Sequence, residues 1–160
     1  MINTLPGSPQ PSLREQAVKF LARRDHSRAE LSRKLSPLGS PEEINAVLDQ
    51  LEQTGLLSDA RAAAAYVRGH AARFGAAKLN YTLRAKGISA ELIEASLTQP
   101  DLGDELQRAR ELWRRKFGQK PDRMPDGGEA KERARRARFL QSRGFSAEII
   151  HKLLKAPDDE

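Results

Sequence analysis

The sequence predicts an all-α protein made of three tandem three-helix repeats that form an elongated, curved body. Apolar residues recur every three or four positions along most of the chain, which is the period of an amphipathic helix. Serine caps and glycine stops divide this pattern into short helices. One helix–glycine–helix segment also occurs more than once. No segment alternates apolar and polar residues as a half-buried strand does.

The first unit is predicted over residues 12–55, after a leader at residues 1–11 whose prolines and glycine predict disorder. Three Ser-x-x-Glu capping boxes mark the starts of its helices: Ser12–Glu15, Ser27–Glu30 and Ser40–Glu43. Pro37 predicts an irregular end to the second helix. Gly55 is expected to end the third helix.

The second unit is predicted over residues 56–99 and the third over residues 100–155. In the third unit, one helix carries the apolar stripe Leu102, Leu106, Ala109, Trp113 and Phe117. We therefore expect Trp113 to pack in a core. Prolines and glycines predict a linker at residues 118–128, and residues 156–160 form an acidic tail that we expect to be frayed.

An internal repeat supports the division into units. Residues 83–97 and 140–154 match at Leu83/Leu140, Gly87/Gly144, Ser89/Ser146, Ala90/Ala147, Glu91/Glu148, Ile93/Ile150 and Leu97/Leu154. Residues 35–48 fit the same frame with one residue fewer after their glycine. Units this small bury little apolar surface alone, so we expect them to gain stability by stacking.

The composition favours an anionic partner and a reducing compartment. The chain of 160 residues has a formal net charge of +6, and such a charge favours nucleic acid or a complex that contains it. The absence of cysteine excludes disulfides and cysteine-ligated zinc and fits the cytoplasm. No apolar run approaches the length that spans a bilayer, so we expect no membrane contact.

The sequence argues against an enzyme. The three histidines are scattered without metal-ligand spacing, and we expect His26, beside a helix cap, to be solvated. There is neither a phosphate-binding loop nor a nucleophile elbow. Acidic residues fall mostly in first turns of helices, where the helix dipole explains them. We therefore expect no catalytic residue, no metal, no cofactor and no small-molecule substrate.

Clustered basic residues are the candidates for binding a partner. On the second helix and the turn before it, five cations point away from the leucine stripe: Arg23, Arg24, Arg28, Arg33 and Lys34. The second unit adds Arg61, Arg68, Arg84 and Lys86. Phosphate groups or acidic side chains of a partner are the expected ligands.

The third unit carries the densest basic run. Its candidates are Arg114, Arg115, Lys131, Arg135, Arg136 and Arg138, beside further cations at Arg108, Arg110 and Lys116. Lys131, Arg135 and Arg138 share one helical face, while Glu132 is placed to pair with Arg136 at i+4. Exposed ion pairs stabilise a protein little, so we expect this density to serve binding.

An ordered set of residues resembles the RecX family, regulatory proteins of the RecA recombinase. The match runs through Ala17, Leu21, Arg24, Ser27, Glu30, Leu31, Lys34, Leu35, Gly39, Ile44, Leu48 and Leu51. It continues through "GLLSDARAAAAYVR" at 55–68, then Gly75, Leu79, Leu83, Gly87, Ile88, Ile93 and Leu97. It covers residues 14–97 and is loose afterwards. Ala62 and Ala64 depart from the family, which tends to have an aromatic and an acidic residue there.

The resemblance implies tandem three-helix repeats that bind RecA and the RecA filament on single-stranded DNA. It also implies less ATP hydrolysis, strand exchange and co-protease activity by RecA, in recombination and the SOS response. Direct, weak DNA binding is compatible with the basic charge. The alternative is a transcription regulator of helix-turn-helix type, in which Arg28, Arg84 or Lys86 would contact bases. A small nuclease is a second alternative.

Overall fold

The structure, a computed structural model, describes residues 10–118 and 128–155. The expected leader lies outside these residues except for its last two positions. Most of the expected linker, residues 119–127, and the whole acidic tail, residues 156–160, also lie outside them. Every regular element of the described chain is a helix, as the sequence predicts.

The described helices form three successive groups of three. Unit 1 contains α1 (Leu13–Arg23), α2 (Arg28–Leu35) and α3 (Pro41–Gln53). Unit 2 contains α4 (Asp59–His70), α5 (Ala76–Ala85) and α6 (Ala90–Leu97). Unit 3 contains α7 (Glu105–Phe117), α8 (Gly128–Ser142) and α9 (Ala147–Lys155). Short 3-10 turns occupy Ser36–Leu38 and Pro100–Leu102.

Local capping explains where these helices begin. The capping boxes of α2 and α3 are complete, because Ser27 and Ser40 each accept from a glutamate backbone N–H and receive that glutamate's side chain in return. Ser12 accepts the backbone N–H of Glu15, which satisfies one free donor of α1. The irregular end predicted from Pro37 is the 3-10 turn after α2.

Each unit has its own apolar core. Unit 1 buries Ala17, Leu31, Leu35, Ile44, Leu48, Leu51 and Leu57. Unit 2 buries Ala63, Val67, Ala71, Leu79, Leu83, Ile88 and Ile93. Unit 3 buries Ala109, Leu112, Trp113, Leu140, Phe145, Ile149, Ile150 and Leu153, which confirms Trp113 as a core residue. Each leucine or isoleucine contributes about 1.5–3 kcal/mol by leaving water.

Two details differ from the sequence-based expectation. Gly39 is extended, with φ −167°, whereas Gly87 and Gly144 are left-handed, with φ 78° and 86°. The segment at 35–48 therefore does not share the backbone of the other two copies. In unit 3, the left-handed Gly103 separates Leu102 from α7, and Leu102 packs against the core of unit 2 instead.

The units dock on one another through two contacts at corresponding positions, one from a side chain and one from the backbone. The Ser27 hydroxyl, at the cap of α2, donates to the carbonyl of Lys86 at 2.5 Å. The Gly75 backbone N–H, at the cap of α5, donates to the carbonyl of Arg143 at 2.7 Å. In each case the accepting carbonyl belongs to the residue before a left-handed glycine of the next unit. The three units are therefore stacked in series by a repeated geometry.

Candidate interaction surface

The predicted binding residues at the junction of units 1 and 2 are already paired within the chain. Arg24 Nη2 lies 2.8 Å from Glu30 Oε2, and Lys86 Nζ lies 3.1 Å from the same oxygen. Arg61 Nε lies 2.9 Å from Asp25 Oδ1. These pairs connect the start of α2 to the second unit, so the cations stabilise the junction.

Glu30 is the centre of this junction. Burial alone would raise the pKa of the Glu30 carboxyl. Hydrogen bonds from Arg24, the Ser27 backbone N–H and Lys86 outweigh burial and lower that pKa to about 2. Glu30 therefore stays ionised at any pH near neutrality, and its single negative charge is shared by the two cations beside it.

Arg28 is neutralised inside unit 1. Its Nη1 lies 2.7 Å from Asp49 Oδ1 and 2.6 Å from Glu52 Oε1, and the hydrogen bond with Glu52 contributes most to raising the pKa of Arg28. Arg28 and Lys86, two of the three residues considered for base contacts in a transcription regulator, are thus engaged in intramolecular ion pairs. Arg84, the third, is exposed.

The remaining candidates of units 1 and 2 form no ion pair with a carboxylate of the described residues. Arg23, Arg33, Lys34, Arg68 and Arg84 are all exposed. Arg33 Nη2 donates to the carbonyl of Ala85 at 3.0 Å, across the same junction. Arg68 Nη1 donates to the Gln99 side chain at 2.8 Å.

His26 is not solvated, contrary to expectation. Its side chain lies under α2 and the residue is only 2% exposed. Its Nδ1 lies 3.0 Å from the carbonyl oxygen of Arg24, and Lys34 Nζ lies 2.8 Å from its Nε2. Burial is the main cause that lowers the pKa of His26. The neutral ring therefore accepts from Lys34 and donates to the Arg24 carbonyl.

Arg136 is not available as a surface contact, although the sequence places it in the basic run of α8. The residue is 5% exposed, and its guanidinium lies 5.1 Å from the Trp113 ring centroid and 4.7 Å from that of Phe117. Its Nε donates to Glu132 at 2.9 Å, as the i+4 spacing predicted. Arg136 is therefore a packing residue of unit 3.

The other basic residues of unit 3 divide in the same way. Arg108 is buried and donates to the carbonyl of Gly103. Arg135 shares Glu132 with Arg136 but remains exposed. The exposed candidates of this unit are Arg114, Arg115, Lys131, Arg135 and Arg138.

A group of cations lies at the junction of units 2 and 3, and sequence analysis identified only Lys116 among them. Arg73, Lys78 and Arg143 surround the ring of Phe74 at 5.7, 4.6 and 5.5 Å from its centroid. Arg143 also lies 5.0 Å from the Phe139 ring, and Lys116 lies 5.4 Å from it. We call the residues Arg73, Phe74, Lys78, Lys116, Phe139 and Arg143 the junction cluster.

The two junctions differ in charge. The first contains the carboxylates of Glu30 and Asp25, which form ion pairs with three of its cations. In the junction cluster, none of the four cations forms an ion pair with a carboxylate of the described chain. Aromatic faces only partly compensate such charges. The positive charge of this surface is therefore available to an anionic partner.

The sequence carries a faint signal for this cluster. A basic residue directly precedes a phenylalanine four times, at Lys19–Phe20, Arg73–Phe74, Lys116–Phe117 and Arg138–Phe139. These pairs are distant in sequence, so only the docking of unit 3 on unit 2 brings two of them together. Arg143 joins them because it precedes the glycine at the docking contact.

The described residues show neither metal chemistry nor a membrane segment. Residues 10–118 and 128–155 contain no group of three or more histidine or acidic side chains that could hold a metal ion. Within the same ranges, no helix has the length and apolar character needed to cross a membrane.

Family models match all three units of the chain. The models of the first, second and third three-helix domains of RecX match residues 14–51, 58–97 and 103–154. The chain belongs to the RecX family. The match includes the third unit, where the residues alone resemble the family only loosely.

Curated relatives agree with this assignment along nearly the whole chain. The regulatory protein RecX of Leptothrix cholodnii is 48% identical over 153 residues, which cover 95% of this chain and 93% of the relative. The regulatory protein RecX of Chromobacterium violaceum is 37% identical over 150 residues and covers 93% of both chains. The RecX relatives are named as regulatory proteins, and this member is a regulator rather than an enzyme.

Solved RecX structures share the fold. The crystal structure of RecX from Lactobacillus salivarius superimposes with a TM-score of 0.69 at 20% identity, over 91% of this chain and 94% of that one. A second crystal structure of a regulatory protein RecX gives a TM-score of 0.66 at 21% identity. At such identities the likeness concerns the helical architecture alone.

Proposed function

We propose that this protein binds RecA and the RecA filament on single-stranded DNA and restrains them. RecA then hydrolyses less ATP, exchanges strands more slowly and loses co-protease activity, in recombination and the SOS response. The protein acts in the cytoplasm and changes no covalent bond. The observation that carries this proposal is the match of all three units to regulatory proteins named RecX.

The charge of the surface supports an anionic assembly as the partner. The net charge is +6, and the cations of the first junction are internally paired. The excess positive charge is therefore concentrated on the rest of the surface, including the junction cluster. A nucleoprotein filament offers both phosphates and acidic side chains to such a surface.

The serial stack of units supports binding across more than one RecA subunit. A row of three docked units presents its cations over a longer distance than one compact bundle of the same length. Contacts to neighbouring subunits would hold them in an arrangement that disfavours turnover, or would occupy the groove that other DNA and repressor substrates enter. Because many ionic contacts contribute to binding, the affinity for the filament should fall steeply as the salt concentration rises.

The proposed contact residues are exposed cations from the predicted set that form no ion pair at the junction of units 1 and 2. They are Arg23, Arg33, Lys34, Arg68, Arg84, Arg114, Arg115, Lys131, Arg135 and Arg138, together with the cations of the junction cluster. Arg61 and Lys86 hold units 1 and 2 together through their ion pairs, and Arg24 and Arg28 form ion pairs within unit 1. Arg136 supports α8 from inside the unit.

The DNA-dependent ATPase of RecA tests the proposal. RecA is assembled on single-stranded DNA, and the purified protein is added up to saturation. We expect ATP hydrolysis to fall, and the fall to weaken as salt is raised. A RecA ATPase that is unchanged at saturating protein, with binding to the filament also absent in a pelleting assay, contradicts the proposed function.

A further inference from the structure

Tyr81 on the outer face of α5 has no role in the fold. The residue is 77% exposed, although aromatic residues usually bury their rings. Its neighbours one turn away along the helix, Ala77 and Ala85, are small and also exposed. Much of the Tyr81 side chain is therefore accessible to a ligand. A single exposed ring is common on protein surfaces, so the residues around Tyr81 decide whether it belongs to a binding site.

Two cations flank this ring on the same helical face. Lys78 and Arg84 lie three residues before and three residues after Tyr81, and both are exposed. Neither forms an ion pair with a carboxylate of residues 10–118 or 128–155. The helix itself, AAKLNYTLRA, contains no acidic residue. Tyr81 thus lies along the helix between two residues that carry unneutralised positive charges, and the Lys78 ammonium itself lies over the Phe74 ring.

The helix dipole does not favour a positive charge at the position of Lys78. It lies in the first turn of α5, at the positive end of the helix dipole, where a cation is unfavourable. It also lies beside the ring of Phe74, which Arg73 and Arg143 approach as well. A bound anion would relieve this repulsion. Arg84, by contrast, lies in the last turn, where the dipole favours it.

Lys78 connects Tyr81 to the junction cluster. Its Nζ lies 4.6 Å from the Phe74 ring centroid, and Arg143 lies between the rings of Phe74 and Phe139. Rings and cations therefore alternate from α5 across the junction to unit 3. This alternation is the arrangement by which proteins hold single-stranded nucleic acid, since bases stack on rings while cations contact phosphates.

We propose that the outer face of α5 is a binding site for unpaired nucleic acid, in which a base stacks on Tyr81 while Lys78 and Arg84 contact the flanking phosphates. The site prefers single strands to duplex, because bases in a duplex are already stacked and their faces are covered. It acts without RecA, so it goes beyond the regulatory function proposed above. Binding there would place the protein on the strand that a filament occupies.

Fluorescence anisotropy with a labelled 20-nucleotide oligothymidylate tests the site in the absence of RecA. We expect Tyr81→Ala to weaken binding about 5- to 100-fold, the range for losing one base-stacking ring. Tyr81→Phe and Tyr81→Trp keep a ring and should bind within about twofold of the unchanged protein. A 20-base-pair duplex should bind more weakly, and its affinity should change less than twofold with Tyr81→Ala.

A charge-matched pair of variants tests the cations. Lys78→Glu with Arg84→Glu should weaken oligothymidylate binding at least tenfold and lower the salt slope by about 0.7 for each lost phosphate contact. Arg14→Glu with Lys19→Glu changes the net charge equally, on the exposed surface of α1. This control pair should retain most of the affinity if the site is local to α5.

Tyr81→Trp also provides a direct probe of stacking. The single tryptophan of the natural sequence, Trp113, is buried in unit 3. A tryptophan at position 81 is exposed, so added oligothymidylate should quench its fluorescence, while a polyglutamate of equal charge should not. Quenching that is equal for the two polymers would identify a general anion surface and contradict a nucleic-acid site.

Three further results would overturn the proposal. One is wild-type oligothymidylate binding by Tyr81→Ala. Another is an equal loss of single-strand and duplex binding in that variant, since the ring would then not contact bases. The third is an equal effect of the α5 and α1 charge variants. The RecA ATPase is measured on the same variants, so a loss of the α5 site and a failure of the regulatory function are separately visible.

Discussion

The backbone N–H of Ala76 donates to the carboxylate of Glu105 at 2.9 Å, across the boundary between units 2 and 3. Ala76 is the first residue of α5, and Glu105 is the first residue of α7. The boundary between units 1 and 2 contains the equivalent contact, since the Arg28 backbone N–H donates to Asp59 at 2.7 Å. An acidic residue in the first turn of one unit thus caps the middle helix of the preceding unit.

Removal of this shared cap should destabilise the protein. The cap glycine of α5, Gly75, has no side chain to satisfy the free N–H groups of the helix. We expect Glu105→Ala to lower the free energy of unfolding by about 1–2 kcal/mol, the upper part of the range for a lost helix cap, measured by urea denaturation. Glu91→Ala is the control, because Glu91 is exposed in the first turn of α6. Equal losses in the two variants would mean that Glu105 acts only on its own helix.

The contact between Gly75 and Gly144 should tolerate no added carbon. A Cβ on Gly75 would overlap the backbone of Gly144 and Phe145, which are atoms that cannot move independently of the fold. We expect Gly75→Ala to cost about 1–3 kcal/mol through this overlap, read from urea denaturation of the whole chain. Gly69→Ala is the control, since the space around Gly69 in α4 is open, and alanine should stabilise that helix slightly. A neutral result for Gly75→Ala would show that the units can separate at no cost.

Acid should weaken the junction of units 1 and 2 through Glu30. The pKa of this carboxyl is about 2 in the folded protein and close to 4.3 when unfolded. A depressed folded pKa contributes stability that is present above the unfolded value and is lost as pH falls towards 2. We expect about 3 kcal/mol to disappear over this interval.

The variant Glu30→Gln isolates that contribution. It should be less stable than the natural protein at pH 7, and the difference should shrink as pH falls from about 4.3 to 2. Denaturation curves at a series of pH values measure this difference. Glu43→Gln is a useful comparison, because Glu43 caps its own helix at the surface and joins no units. If the difference in free energy of unfolding between Glu30→Gln and the natural protein did not change with pH, the charge of Glu30 would not be what stabilises the junction.

The elements predictable from sequence are those fixed by short-range chemistry. The caps at Ser27 and Ser40 need a glutamate three residues later, and the left-handed turns need Gly87 and Gly144. Such signals lie within one helix or turn, so the sequence displays them directly. The apolar stripes likewise identified the core positions, including Trp113.

The candidate surface was less predictable because it depends on contacts between units. Arg136 and Arg138 lie two positions apart in one basic run, yet one is buried against Phe117 and the other is exposed. Their difference depends on how α8 packs on α7. The junction cluster likewise requires unit 3 to dock on unit 2, which brings Arg143 to Phe74. Charge density alone does not separate binding residues from residues that hold the units together.

The junction cluster should contribute to filament binding through charge. Arg73→Glu with Lys116→Glu changes two of its exposed cations, and we expect filament affinity to fall at least tenfold at low salt, with a shallower dependence on salt. Co-sedimentation with RecA filaments at several salt concentrations measures both. Arg14→Glu with Lys19→Glu carries the same charge change on α1, and this control pair should lose less affinity for the filament. If both pairs weaken binding equally, only net charge matters and the cluster has no special role.

Arg136 should stabilise unit 3 rather than bind a partner. Its guanidinium lies against Trp113 and Phe117 and pairs with Glu132, so Arg136→Ala removes packing around both rings and one of the two cations that pair with Glu132. We expect a loss of about 1–3 kcal/mol in the free energy of unfolding. Arg138→Ala, two residues away and exposed, should change stability by less than about 0.5 kcal/mol. Arg136→Met should restore part of the loss, because methionine refills the space while Arg135 still pairs with Glu132. Wild-type stability in Arg136→Ala, together with weaker filament binding, would return this residue to the contact surface.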